Sequence, residues 1–236
     1  YMVSESSNFT SGTWISYSSG TIPFTLSTTQ GAKIVYIKIK NSSTETSAIN
    51  STITYSSTRQ FLVNFTSTAV YNNPSPWNKF LATGVLTTST IPVGSTITLS
   101  DTTLVASNLV LTVSDAFDGV DSNASTTVTY PYPYDVIRWN WYIPPGGDKG
   151  SMNLSGCNDT KSYDIIMYGH RSYNGGDQFF TVNGVDQLFN AGHGTGSTFF
   201  NQIIFNDVKS VSGVISIEVK VKSIGAFICT LDITEK

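Results

Sequence analysis

Hydrophobic and polar positions alternate along most of this chain, and helical spacing is nearly absent. VISIEVKVK (214–222) sets Ile215, Ile217, Val219 and Val221 on one side and Ser216, Glu218, Lys220 and Lys222 on the other. A period of two marks a strand with one buried face. The same pattern predicts strands over AKIVYIKIKN (32–41), RQFLVNF (59–65), STITLS (95–100), SNLVLTVS (107–114), SYDIIMYG (162–169), QFFTVNG (178–184) and NQIIFNDV (201–208). Clusters of Gly, Pro, Asn, Asp and Ser bound them, as turn chemistry requires. FICTLDIT (227–234) puts Phe227, Cys229, Leu231 and Ile233 on one face, so Cys229 reads as a buried thiol. Many short strands at this spacing predict an all-β protein, a sandwich or jelly roll.

The pattern breaks near Ser56–Thr58. Residues 1–57 offer about four short strands, around TWISYS, IPFTLS, KIVYIKIK and STITYS, against roughly seven in a complete immunoglobulin-type sandwich. They read as a partial immunoglobulin-like β domain, or its closing strands, completed by chain outside this sequence or by a partner strand. Residues 58–236 are long enough for a complete jelly-roll β-sandwich.

TYPYPYDVIRWNWYIPPGGDKG (129–150) crowds four tyrosines and two tryptophans around one arginine. Pro131 and Pro133 exclude a central strand there, because proline has no N–H for a ladder. An extended approach segment should lead into a strand from Asp135. Ile137, Trp139, Trp141 and Ile143 then share one face, which reads as core. Arg138, Asn140 and Tyr142 share the other, and a guanidinium, an amide and a phenol suit sugar hydroxyls or a carboxylate. An ordinary solvated strand face is the competing reading.

The loop RSYNGGDQ (171–178) offers a second ligand set, Arg171, Tyr173 and Asp177. Its tyrosine can stack on a sugar ring while Arg and Asp take hydroxyls, and a long polar hairpin is the alternative. Tyr71 and Trp77 could act in the same way, or pin a proline-rich loop to the core.

Charge narrows the partners. Only 12% of residues are charged, the net charge is −3 and the sequence pI is about 5.2. The basic excess that phosphates demand is missing, which argues against nucleic acid and anionic membrane surfaces. No apolar run approaches the roughly 20 residues of a membrane helix, so membrane insertion is not expected. The opening Tyr1-Met2-Val3-Ser4 shows no basic or apolar region of a secretory signal, and a start on Tyr says little about compartment.

Catalytic chemistry is scarce. His170 and His193 are the only histidines, with no Cys or His set at zinc spacing. There is no G-x-S-x-G elbow, and GHGTGS lacks the lysine of a phosphate loop. No enzyme activity and no organic cofactor are expected. SDAFDGVDSN (114–123) carries Asp115, Asp118 and Asp121, hard oxygen ligands that suit Ca²⁺, although not at EF-hand spacing. A turn without metal is the simpler reading. Two cysteines are too few for a disulfide framework, and a Cys157–Cys229 bridge stays open beside two free thiols. Asn-x-Ser/Thr triplets at Asn8, Asn41, Asn50, Asn64, Asn123, Asn153 and Asn158 fit chance in so Ser/Thr/Asn-rich a chain.

NFTSTAVYNNPSPWNKF (64–80), YPYDVIRWNWY (132–142), MNLSGCNDTKSYDIIMYGHR (152–171), FFTVNG (179–184) and the last two strands together resemble a galactose-binding-like jelly-roll module. Such modules, akin to carbohydrate-binding modules, recur in secreted bacterial proteins and phage-borne proteins. Cys157 stands where they carry Leu, and His170 where they carry Ser. GAKIVYIKIKNSSTETSAINSTITYS (31–56) resembles the closing strands of bacterial immunoglobulin-like repeats.

The resemblance implies a non-catalytic extracellular recognition module, binding a glycan or cell-surface receptor in an adhesin, enzyme appendage or phage receptor-binding protein. The alternative it leaves is a capsid-associated, spike or tail-fibre component of a virion. In that case the sandwich serves assembly, as a homo-oligomer or with other β domains. Either role places the chain outside the cell, at a cell surface or at a virion surface.

Overall fold

The computed structural model describes residues 1–10, 12–27, 31–55, 58–67, 74–81, 90–122, 132–169, 176–190 and 202–236. The chain is almost entirely β and divides into two compact units, residues 1–57 and 58–236. Among the described residues no helix is long and apolar enough to cross a membrane.

In the first unit β1 (Met2–Ser4), β2 (Gly31–Lys38) and β3 (Ile49–Tyr55) form one antiparallel sheet in chain order. The register sets Val3 opposite Ile37, Ile37 opposite Ile49, and Val35 opposite Ser51, so these residues share a face. Ile22 and Phe24 run along it and leave an open apolar groove of about 280 Å³. On the other side Phe9 meets Tyr36 edge-on at 6.4 Å, with the Lys38 ammonium 5.2 Å from its ring. The strands expected in TWISYS and IPFTLS do not form, and β1 takes a place in the sheet instead. Ile15 exchanges two hydrogen bonds of 2.8 Å with Tyr1 alone, and Pro23 removes a donor from the second segment.

The second unit contains β4 (Arg59–Thr66), β5 (Asn78–Leu81), β6 (Thr96–Ser100), β7 (Ala106–Asp115), β8 (Gly119–Ser122), the helical turn α1 (Tyr134–Ile137) and β9 (Trp139–Ile143). It continues with β10 (Lys149–Ser155), β11 (Tyr163–Tyr168), β12 (Asp177–Val182), β13 (Val185–Asn190), β14 (Ile203–Val208), β15 (Val214–Val221), β16 (Ala226–Ile228) and β17 (Thr230–Glu235). A six-stranded sheet, β13-β12-β15-β10-β7-β6, a five-stranded sheet, β14-β11-β17-β4-β5, and a small sheet, β16-β9-β8, enclose one core. From β10 onward the chain crosses repeatedly between the two large sheets, with β12 and β13 a hairpin within one of them and β16 in the small sheet.

The buried faces follow the alternation of the sequence. Ile215, Ile217 and Val219 of β15 are fully buried, as are Ile165 and Met167 of β11 and Leu231 and Ile233 of β17. Both cysteines are buried and free, and burial pushes the Cys157 thiol up to about 11.

Two segments differ from the periodic reading. FICTLDIT is not one strand. It changes sheet at Cys229, so that β16 pairs with β9 while β17 lies between β11 and β4. Hydrogen bonding continues through the change: the Cys229 N–H donates to the Tyr168 carbonyl at 2.8 Å, and the Phe65 N–H to the Cys229 carbonyl at 3.0 Å. Residues 226–233 are buried on both faces, Asp232 nearly so, and their period of two therefore carries no inside or outside.

The Gln178 amide completes the crossing. Its Nε2 donates to the Phe227 carbonyl, and the Phe227 N–H donates to its Oε1, both at 2.8 Å. Gly169 is required here, because a Cβ would lie 2.1 Å from the Phe227 carbonyl oxygen.

The second departure is at Asp135–Ile137, which form a helical turn instead of the start of a strand. The N–H groups of Val136 and Ile137 both donate to the Pro133 carbonyl, and proline's fixed φ favours such a first turn. Trp141 is then central to the core, 4.9 Å from the Phe65 ring, 4.7 Å from Phe80 and 5.4 Å from Phe117.

Candidate functional site

The outward face of the five-stranded sheet carries the best-formed polar and aromatic cluster. With Leu231 and Ile233 pointing inward, Thr230 and Asp232 point the opposite way. In register, Thr230 lies between Tyr168 and Asn64, and Asp232 between Ile166 and Leu62. Two rings from outside the strands cover this face. Tyr132 and Trp77 meet edge to face, with centroids 5.2 Å apart at 83°, and Tyr132 meets Tyr168 at 6.3 Å. Trp77 is positioned by a turn in which its N–H donates to the Pro74 carbonyl at 3.1 Å. The Tyr132 hydroxyl accepts a 3.0 Å hydrogen bond from Gln202 Nε2. Both rings are half-buried.

Asp232 is the electrostatic centre. It is 6% exposed, and both carboxylate oxygens lie 3.0 Å from Gln60 Nε2. Burial raises its pKa above the ordinary value, and the Gln60 hydrogen bond offsets part of that. Among the described residues no lysine or arginine forms an ion pair with it. Tyr132 is pushed up to about 12, first by burial and then by the Asp232 charge. The buried Thr230 hydroxyl approaches Tyr132 without a well-formed hydrogen bond.

The residues singled out from sequence fall elsewhere. Asn140 is 1% exposed, and Tyr142 stacks on Phe227 at 6.3 Å with Gly119 against its ring. Arg138 is half-buried, its guanidinium 5.9 Å from the Trp139 ring. Asn140 is buried and the Tyr142 ring is taken up by Phe227, so the three residues do not present one open polar face.

Arg171 and Tyr173, like Tyr71, His170 and His193, lie outside the described residues. Asp177 opens β12, where it pairs with Lys222 at 3.3 Å and accepts from Asn190 Nδ2 at 3.0 Å. The calcium reading is not supported by the geometry: among the described residues no three His, Cys, Asp or Glu side chains come close enough to hold a metal. Asp115 ends β7 in the six-stranded sheet, while Asp121 pairs with Asn140 in the small sheet. Phe117 dives into the core between them.

Gln60, Asp232 and Gln202 were not singled out from sequence. Trp77 and the tyrosine-proline stretch were the only signals pointing here.

No family model matches the chain, and no curated protein is similar to it. Among solved structures it is similar to a calcium-binding mutant of Bacteroides uniformis beta-glucuronidase 2, with a TM-score of 0.40 and 10% identity. The match covers 89% of this chain and 23% of that one, so this chain spans under a quarter of that chain's length. A likeness this distant carries no functional inference. The class of protein that the fold defines is an all-β sandwich.

Proposed function

We propose that the chain is a non-catalytic, extracellular glycan-recognition module, and that the face formed by Trp77, Tyr132, Gln60, Gln202 and Asp232 is its binding surface. The observation that carries this reading is the pair of half-buried rings 5.2 Å apart over a polar floor. Sugars combine apolar C–H faces with hydroxyls, so an aromatic wall beside a few convergent polar groups suits them. The floor is a rigid, fully paired sheet, which holds the polar groups in place. The site carries one carboxylate among its described residues, whereas glycoside hydrolysis ordinarily uses two.

A glycan array with the full chain tests this reading. Trp77→Ala and Tyr132→Ala should each weaken a positive signal at least about tenfold, the usual scale for truncating an aromatic anchor, while the circular dichroism stays native. An array blank at millimolar concentration would overturn it.

A second reading, a virion structural component, draws support from one feature. Ile49 and Ile53 of the first unit are 65% and 49% exposed on an open sheet face suited to packing against another β domain. Light scattering on a sizing column separates the two: a monomer supports recognition, and a defined ring or trimer supports assembly.

A further inference from the structure

We infer that this face selects its ligand by charge: it takes a saccharide bearing a free ammonium group, an amino sugar, and turns away uronic acids and other anionic sugars. The inference rests on the glycan reading above and adds the ligand class.

The reason is an uncompensated carboxylate. Among the described residues Asp232 accepts from a single neutral donor, the Gln60 amide, although a carboxylate has about four lone-pair sites. The other charged groups of the sheet are committed elsewhere. Arg59 holds Asp101 at 2.8 Å, Lys161 holds Glu235 at 2.5 Å, and Lys236 holds Asp164 at 2.6 Å. Lys79 sits on β5 opposite Asn64, two strands from β17, and has interactions of its own. A buried carboxylate without a counter-ion is best satisfied by a cation.

Two further features point the same way. The electron-rich faces of Trp77 and Tyr132 attract ammonium groups. The Asp232 charge also acts on the neighbouring Tyr132 hydroxyl, after burial, in raising its pKa. A uronate carboxylate placed there would meet like charge in a partly desolvated site. A ligand ammonium would meet both the carboxylate and the rings.

The test is isothermal titration of the full chain, at slightly acidic pH and low salt, with three oligosaccharides of equal length. One is built of free glucosamine, one of N-acetylglucosamine and one of a uronic acid. The expected order is glucosamine over N-acetylglucosamine by about tenfold, with the uronate weakest. Asp232→Asn should compress that ranking to within about twofold. Equal binding of all three, or a preference for the uronate, overturns the charge selection and leaves the glycan reading standing. Failure of all three, together with a blank array, overturns both. If Asp232→Asn does not fold, as circular dichroism would report, the ranking of the unmodified chain decides alone.

Discussion

Residues 1–57 and 58–236 are made of similar alternating strands, but they bury them differently. In 58–236 two large sheets face each other, and Phe61, Val63, Phe65, Ile165, Leu231 and Ile233 are closed off from water. In 1–57 three strands form a single sheet, and Phe9 is the one buried apolar side chain among the described residues. A sheet face is covered only when a second layer packs on it. The segments that cross the smaller sheet supply a few side chains, Ile22 and Phe24 among them, rather than a layer. Strand propensity is similar in the two regions; the number of strands available to form a second layer is not. Small units bury a smaller fraction of their surface for the same reason.

Three changes should sharpen or break that contrast. The largest effect should come from Trp141→Ala, which empties the point where four rings meet. We expect a loss of about 3–5 kcal/mol in denaturant unfolding, and a loss below about 1 kcal/mol would mean that the sandwich is far less tightly packed than its burial implies.

The second change is acidification, which acts at the edge of the larger unit. Burial works to raise the Asp101 pKa, but the Thr103 hydroxyl, Arg59 and the Val105 and Thr103 amides outweigh it and hold the group at about 2. A carboxyl whose pKa is depressed on folding stabilises the fold above its unfolded value, and that stability is lost as pH falls toward the folded one. Stability should therefore fall between about pH 4 and pH 2, by on the order of 1 kcal/mol after solvent screening. Asp101→Asn should remove that part of the pH dependence.

The smallest effect should come from Ile49→Thr and Ile53→Thr in the first unit. They exchange exposed β-branched residues for another β-branched residue and should cost under about 0.5 kcal/mol each, read from amide exchange in β2 and β3. A cost above about 1 kcal/mol would show that this face is covered in solution and would end the comparison.

Much of the architecture was legible because period-two alternation is local. Val214–Val221 shows its buried face in its own residues, and β4, β7 and β11 do the same. The core role of Trp139 and Trp141 followed from the same counting. The change of sheet at Cys229 was not legible, because residues 226–233 are buried on both sides and alternation there has no polar phase to show where one strand ends.

The candidate site was legible only in fragments. Trp77 and Tyr132 stand out as aromatics among prolines, but their meeting depends on contacts more than 50 residues apart. Asp232 looks like any polar residue on the open side of a strand. It is the tyrosine arriving from another part of the chain, with Gln60 from β4, that buries it.

By itself the sequence determined that this protein is built of β-strands, which residues of most strands face inward, and that basic residues are not in excess. These properties depend on residue type and spacing within one strand. Tertiary structure alone decided which strands are neighbours, that Arg138, Asn140 and Tyr142 do not present one open polar face, that the three aspartates of the 114–123 loop do not converge, and that Trp77, Tyr132, Gln60 and Asp232 do. Each of these depends on where distant segments come together, and the alternation within a strand holds no record of its neighbours.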